Sequence, residues 1–298
     1  MDEQYSSGCA WIDNAYVPVG EARIPILDMG FSRSDCTYDV VAVWEGGFFR
    51  LDDHLDRFER SCLCLQLQPP SREDIRRIVF ECVRRSGLRN AYVEVIATRG
   101  VPRAGQRDPR AIDNRFYAYA IPYVWIATLE QQAQGLKLVV ARGVERIAAR
   151  AVDPTVKNFH WGDLVRGQFE AYDREADTVV LLDAEGHVTE GPGFNLFAWT
   201  RGALLTPADG VLPGITRRTV LELAARSGIA TRVTRFSDVA LRDAEEIFLT
   251  STAGGVMPVV SLDGVAVGDG TPGPVTRQLT AQYWDAHRGG EWVEPVDY

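Results

Sequence analysis

The chain of 298 residues is almost without lysine: Lys137 and Lys157 are the only two, and arginine supplies the rest of its 32 basic residues. Against 41 Asp and Glu this leaves a net charge of -9, a surface that repels phosphate backbones, so no nucleic acid partner is expected. Long apolar runs are missing too. The uncharged stretch Phe116 to Leu129 is too short for a bilayer span and holds Pro122, so no membrane partner is expected. Five cysteines without a Cys-x-x-Cys pair read as reduced thiols rather than a disulfide framework. The four histidines are scattered, none in a zinc-ligand spacing, so no metal is expected. Met1-Asp2-Glu3 opens without a basic region or an apolar block, and a cytoplasmic location follows as the expectation.

What remains is ordinary globular material, 46% hydrophobic and 24% charged, long enough for one large or two smaller domains. Gly46-Gly47 between Val40 to Trp44 and Phe48 to Leu51 predicts a hairpin. Leu55, Phe58, Cys62 and Leu65 recur at helical spacing, with Asp52 or Asp53 as the cap. A second helix carries Ile75, Ile78, Val79, Cys82 and Val83 and stops at Gly87. Strands are expected at Tyr92 to Thr98 and Phe116 to Ile121. The Gln-rich stretch before Gly135 reads as a linker, giving a small domain 1–123, a linker 124–135 and a large domain 136–298. In the second part, strands are expected at Leu136 to Ala141, Thr178 to Leu182, Phe194 to Trp199 and Glu246 to Thr250. Helices are expected at Gly162 to Asp173, Ile215 to Arg226 and Val275 to His287. Strands and helices mix without clean alternation, so the fold class is α+β.

The scarcity of lysine makes each one easy to weigh. In Leu136-Lys137-Leu138-Val139-Val140 strand alternation turns Lys137 toward solvent. Lys157 instead lies in Asp153-Pro154-Thr155-Val156-Lys157-Asn158-Phe159-His160-Trp161-Gly162, irregular and apolar, where desolvation favours the neutral amine that a Schiff-base lysine requires. Pyridoxal 5'-phosphate (PLP) on that lysine would need a carboxylate beside its ring nitrogen and a cup for its phosphate. Glu190 stands before the Gly191-Pro192-Gly193 turn, where a cofactor can approach the backbone. Leu212-Pro213-Gly214-Ile215-Thr216 runs from a glycine turn into a helix, and Thr250-Ser251-Thr252-Ala253-Gly254-Gly255 offers hydroxyls and glycines after a strand. Arg57, on the flank of the first helix, can supply a guanidinium fork. Singly, each is also an ordinary turn, cap or surface charge.

In order along nearly the whole chain, these segments resemble the fold-type IV PLP-dependent aminotransferases. Within them, Gly30-Phe31-Ser32-Arg33-Ser34-Asp35-Cys36-Thr37-Tyr38-Asp39-Val40, Phe48-Phe49-Arg50-Leu51-Asp52-Asp53-His54, Asp153-Pro154-Thr155-Val156-Lys157-Asn158 and Trp161-Gly162-Asp163-Leu164-Val165-Arg166-Gly167 are similar to segments of (R)-selective amine transaminases. The resemblance implies Lys157 as the Schiff-base lysine and Glu190 as the ring-nitrogen carboxylate. Arg57, Ile215, Thr216 and Thr252, with Ser251 adjacent, become the phosphate ligands. Tyr38, Val40, Tyr119, Phe159, Trp161 and Arg33 match positions of the substrate pocket. An aromatic, apolar wall suits an alkyl or aryl group better than a second carboxylate. Two departures stand out: Ala133 occupies the place of an arginine that receives the acceptor's carboxylate in fungal-type members, and Arg33 stands where histidine is common. Arg142 and Arg103 are nearby substitutes in the sequence.

The resemblance further implies two domains, a homodimer whose partner completes the pocket, and amine and keto acid substrates. The expected activity is transfer of an amino group from a chiral primary amine, (R)-configured, to a keto acid such as pyruvate. A D-amino acid or branched-chain aminotransferase, or aminodeoxychorismate lyase, is the alternative within the fold. A non-catalytic module that only holds PLP is the alternative outside enzymes.

Overall fold

The computed structural model describes residues 7–298. Two compact units divide them: Met1–Val124 as far as described, with Val156–Phe159 and Ala286–Tyr298, form unit 1, and Trp125–Thr155 with His160–Asp285 form unit 2. No described helix is long and apolar enough to cross a membrane.

The strands of unit 1 are β1 (Cys9–Ile12), β2 (Ala15–Pro18), β3 (Cys36–Trp44), β4 (Gly47–Phe49), β5 (Ala91–Thr98), β6 (Arg115–Pro122) and β15 (Val293–Pro295). They form one seven-stranded antiparallel sheet in the order β15-β4-β3-β5-β6-β1-β2. The expected β3–β4 hairpin turns on Glu45 and Gly46, both at positive φ (50° and 88°), as a two-residue loop between twisted strands requires. Register sets the faces. Val40 lies opposite Glu94, which lies opposite Tyr119, while the intervening Val41, Val93 and Ala120 are opposite one another. That second set, with Val43, Val95 and Ala118, packs against α2 (Leu51–Cys64) and α3 (Arg72–Ser86) through Leu55, Phe58, Cys62, Ile75, Val79 and Cys82. Both helices are amphipathic for this reason, and α3 ends at Gly87 as expected.

The strands of unit 2 are β7 (Leu136–Val140), β8 (Thr178–Val180), β9 (Asn195–Thr200), β10 (Ala203–Thr206), β11 (Ala230–Val233), β12 (Glu246–Ser251), β13 (Gly255–Leu262) and β14 (Val265–Ala266). They form a mixed sheet in the order β11-β10-β9-β12-β13-β7-β8, with β14 paired to β13. Leu138, Val140, Leu196, Leu249, Met257 and Val259 form its main core, and α5 (Gly162–Asp173) covers Val139, Val179 and Leu181 with Leu164 and Ala171. The helices α6 (Ile215–Arg226), α7 (Asp238–Arg242) and α8 (Pro274–Ala286) complete it. The mixture of sheets and helices is the α+β class that the sequence predicts.

Several expectations need correction. Neither Asp52 nor Asp53 caps α2: the cap is Arg50 at φ 55°, and both acids sit in the first turn, where the helix dipole favours them. Arg50 is held there because its amide donates to Trp292 O (2.7 Å), its Nε donates to Asp53 Oδ2 (2.6 Å), and its guanidinium lies 4.4 Å from the Trp292 ring centroid. Leu51, expected in the hairpin, opens the helix instead. The stretch expected as linker 124–135 contains α4 (Leu129–Gln134), opened by a Thr128/Gln131 capping box. The tail Ala286–Tyr298, expected in the large domain, belongs to unit 1, where β15 pairs with β4 and Glu294 pairs with Arg76. A three-residue strand carries too little periodicity to be recognised.

Candidate active site

The face of β3 that packs against α2 carries one charged residue, Asp39. Its Oδ2 accepts from Arg57 Nε (2.7 Å), and its Oδ1 accepts from Arg57 Nη2 (2.8 Å) and lies 2.8 Å from His54 Nδ1. All three side chains are buried. Burial alone would raise the Asp39 carboxyl, but the Arg57 guanidinium and the hydrogen bonds outweigh it and hold it well below the usual carboxylate range. Burial pushes the His54 imidazole down despite its bond to Asp39. Arg57 is thereby fixed along one edge of its fork.

Lys157 is attached to β3 and α2 through its backbone. Its carbonyl accepts from Thr37 Oγ1 (2.6 Å) and Tyr38 N (3.2 Å), and its amide donates to Ser61 Oγ (3.4 Å). Its Nζ lies 4.3 Å from the centroid of the Tyr38 ring, which stacks on Phe159 at 4.2 Å and 6°. Tyr38 and Val40 share the sheet face that α2 and α3 leave uncovered, and so do Glu94 and Tyr119. Tyr119 Oη donates to Glu94 Oε2 (2.6 Å), as does Tyr92 Oη (3.1 Å). Burial raises the Glu94 carboxyl, opposed by the Tyr119 bond and the charge of Lys157. Arg33 ends the short helix α1 (Met29–Arg33) and is exposed. Of the arginine question, Ala133 is exposed on α4, Arg142 is exposed, and Arg103 is exposed with its guanidinium 3.7 Å from Asp113.

Unit 2 assembles the other expected residues. Three donors converge on Glu190: Arg146 Nη2 on Oε1 (3.0 Å), Leu212 N (2.9 Å) and Asn195 Nδ2 (3.3 Å) on Oε2. Arg146 also donates from Nη1 to Asp163 Oδ2 (2.6 Å). Burial works against its charge, but Glu190 and Asp163 prevail and raise it. Gly214, the N-cap of α6, offers no side-chain cap, and no acid stands in the first turn, so the amides opening the helix at Ile215 and Thr216 face no built-in anion. Thr216 is buried, with Oγ1 3.4 Å from Tyr283 Oη. Ser251 and Thr252 lie at the β12–β13 turn, where Ser251 Oγ accepts from Ala253 N (3.2 Å). Trp161 is the N-cap of α5.

Lys157, Arg57, Arg33, Tyr38, Val40, Tyr119 and Phe159 thus fall in unit 1, and Glu190, Ile215, Thr216, Ser251, Thr252 and Trp161 in unit 2. Sequence reasoning missed Asp39, His54, Glu94 and Arg146. A charged residue inside a strand whose neighbours are apolar was the available signal for Asp39 and Glu94. Arg146 lies in irregular chain and gave none.

The donor set suits PLP. An uncapped twelve-residue helix start with buried hydroxyls accepts a phosphate, and a carboxylate oriented by three donors suits a protonated ring nitrogen. The comparisons agree. The chain is 30% identical to branched-chain-amino-acid aminotransferase-like protein 1 of Arabidopsis thaliana over 92% of its own length, but it spans only about half (50%) of that relative. It is 29% identical to the branched-chain-amino-acid aminotransferase of Pseudomonas aeruginosa, covering 95% of this chain and 94% of that one. It is 28% identical to a D-alanine aminotransferase of Listeria monocytogenes, covering 90% and 92%. The branched-chain amino acid aminotransferase of Thermobaculum terrenum, solved in its PLP form, superposes with a TM-score of 0.89 at 25% identity, covering 100% of both chains. The family described as amino-transferase class IV matches residues 37–262, and the chain belongs to it: a fold-type IV aminotransferase with PLP as its cofactor.

Proposed function

We propose that this aminotransferase takes the amino group of a chiral primary amine, (R)-configured, and passes it to a keto acid such as pyruvate, acting as a cytoplasmic homodimer. The observation that carries the reading is the composition of the buried sheet face around Lys157, the one that α2 and α3 do not cover. Along Tyr38 to Ala42, Tyr92 to Ile96 and Tyr117 to Ile121 that face bears aromatic and aliphatic side chains and one acid, and no arginine or lysine to receive a carboxylate. The segments similar to (R)-selective amine transaminases support the stereochemical choice. Transfer between branched-chain or D-amino acids is the second reading, favoured by the names of the relatives.

The residues then take these roles. Bound PLP supplies an electron sink for the bond broken at the substrate's alpha carbon. Lys157 Nζ would hold the cofactor and, as a free amine, would take the proton from that carbon and return it. Glu190, steadied by Arg146, Asn195 and the Leu212 amide, keeps the ring nitrogen protonated. Arg57, Ile215, Thr216, Thr252 and Ser251 hold the phosphate, with Asp39 orienting the Arg57 fork. Tyr38, Val40, Tyr119, Phe159, Trp161 and Arg33 frame the substrate.

The test is a donor panel of both enantiomers of 1-phenylethylamine, D-alanine and leucine with pyruvate and 2-oxoglutarate, read with the spectrum of the bound cofactor. (R)-1-phenylethylamine should convert the cofactor to its amino form, and pyruvate should restore it. Preference for leucine or D-alanine would overturn the reading. Lys157→Ala should abolish turnover and borohydride attachment of the cofactor while the chain stays folded. Glu190→Gln should keep the cofactor bound and lower kcat by roughly 100-fold or more.

A further inference from the structure

Glu94 is a buried acid on the same sheet face as Tyr38, Val40 and Tyr119. It lies at the middle of β5, directly between Val40 of β3 and Tyr119 of β6, on the sheet face turned away from α2 and α3. Its residue is 5% exposed. Both tyrosine hydroxyls, from Tyr119 and Tyr92, donate to Oε2, so Oε1 receives neither. The cation that acts on it is Lys157, and Asp39, across β3, adds a second negative charge. Burying a carboxylate without a fixed basic partner is costly, and an amide or a leucine would pack there at less expense. Burial works toward the neutral acid, while the Tyr119 and Tyr92 hydroxyls and the charge of Lys157 favour the ionised form beside that amine.

We propose that Glu94 is a selectivity residue that repels the carboxylate of amino acid donors from this face and so favours amines that have none. The inference rests on the amine reading above and identifies a source for it. It makes Glu94 neither a proton carrier nor a contact of the reacting atoms. Two like charges about 6 Å apart at the effective dielectric of a partly buried site repel enough to alter a rate ratio about 100-fold, so one carboxylate suffices.

The experiment compares 1-phenylethylamine with phenylglycine, which replaces the methyl group by a carboxylate, using both enantiomers of each and the holoenzyme. The quantity is the ratio of kcat/KM for the amine to that for the amino acid. In Glu94→Gln, which keeps the shape and an acceptor for the tyrosine hydroxyls, the ratio should fall by about 10- to 100-fold. In Glu94→Asp, which keeps the charge, it should stay within a few-fold of the parent. A Gln variant with bound cofactor and an unmoved ratio overturns the inference and spares the amine reading. A parent that prefers phenylglycine overturns both. If Glu94→Gln does not fold, the parent itself decides: benzamide should bind at least about 10-fold tighter than benzoate, and equal affinities sink the proposal.

Discussion

At the scale of single residues, the Asp39–His54–Arg57 cluster shows how a chain can hold a guanidinium rigid in a buried place. Asp39 engages one edge of the fork with both oxygens, and His54 engages Asp39. The arrangement has a consequence in pH. The folded affinity of His54 for a proton is depressed by burial, so the unfolded chain, titrating near pH 6.5, binds the proton first. The stability that His54 contributes is therefore present above about pH 6.5 and is lost as pH falls through its lower folded value. Asp39, depressed below its ordinary value near 3.8, adds a second loss that begins only below that pH. Every tenfold difference in proton affinity is about 1.4 kcal/mol. The melting temperature of the apoprotein should thus decline by roughly 2–4 °C or more between pH 7 and 5, and His54→Gln should flatten that decline. Identical slopes in parent and variant would show that the imidazole is not the group responsible.

At the scale of elements, the start of α6 is where local geometry and chemistry meet most closely. Gly214 has φ −64° and ψ 137°, a conformation open to any residue, so its importance lies in space rather than in backbone freedom. A Cβ there would lie 2.0 Å from Asn195 Oδ1. Asn195 in turn donates to Glu190 (3.3 Å) and to Leu212 O (2.9 Å), so an added methyl displaces a support of the Glu190 carboxylate and the turn that opens α6. Gly214→Ala should weaken PLP binding by about 10-fold or more and destabilise by about 1–3 kcal/mol. Gly162→Ala, where the new Cβ meets nothing within 4 Å, is the control and should change neither. Titration of apoprotein with PLP, followed by thermal melts, measures both, and equal affinities would remove the packing argument. Elements of this kind were the most readable part of the sequence: α5 and α6 begin and end where apolar spacing and flanking glycines place them. The short strands β10, β11, β14 and β15 were not, because so few residues hold too little of a legible period and are fixed by their neighbours in the sheet. For the site, family-like segments pointed to Lys157, Glu190 and the hydroxyl loops. The partners that orient them, Asp39 for Arg57 and Arg146 for Glu190, arise from contacts between residues distant in sequence, which no local pattern encodes.

At the scale of the whole molecule, the distribution of apolar surface argues for a second copy. In unit 1, Ile24, Ile26, Leu27 and Phe31 are at least half exposed within one short stretch. In unit 2, Val165, Phe169 and Tyr172 are exposed on α5 at the four- and three-residue steps of a single helical face, the side opposite Leu164 and Ala171. Isolated apolar residues on a surface need no explanation, but grouped ones mark an interaction surface. The net charge of -9 opposes indiscriminate association, so contact has to come from such patches. Burying one phenylalanine contributes about 2–3 kcal/mol, and in a twofold dimer the same residue acts twice. Phe169→Glu exchanges that gain for two buried carboxylates and should weaken the dimer by at least about 100-fold. Sedimentation velocity at micromolar protein should then show a dimer for the parent and a monomer for Phe169→Glu. Activity should fall with the dimer if a partner chain completes the pocket, whereas a parent that sediments as a monomer would end the homodimer assignment.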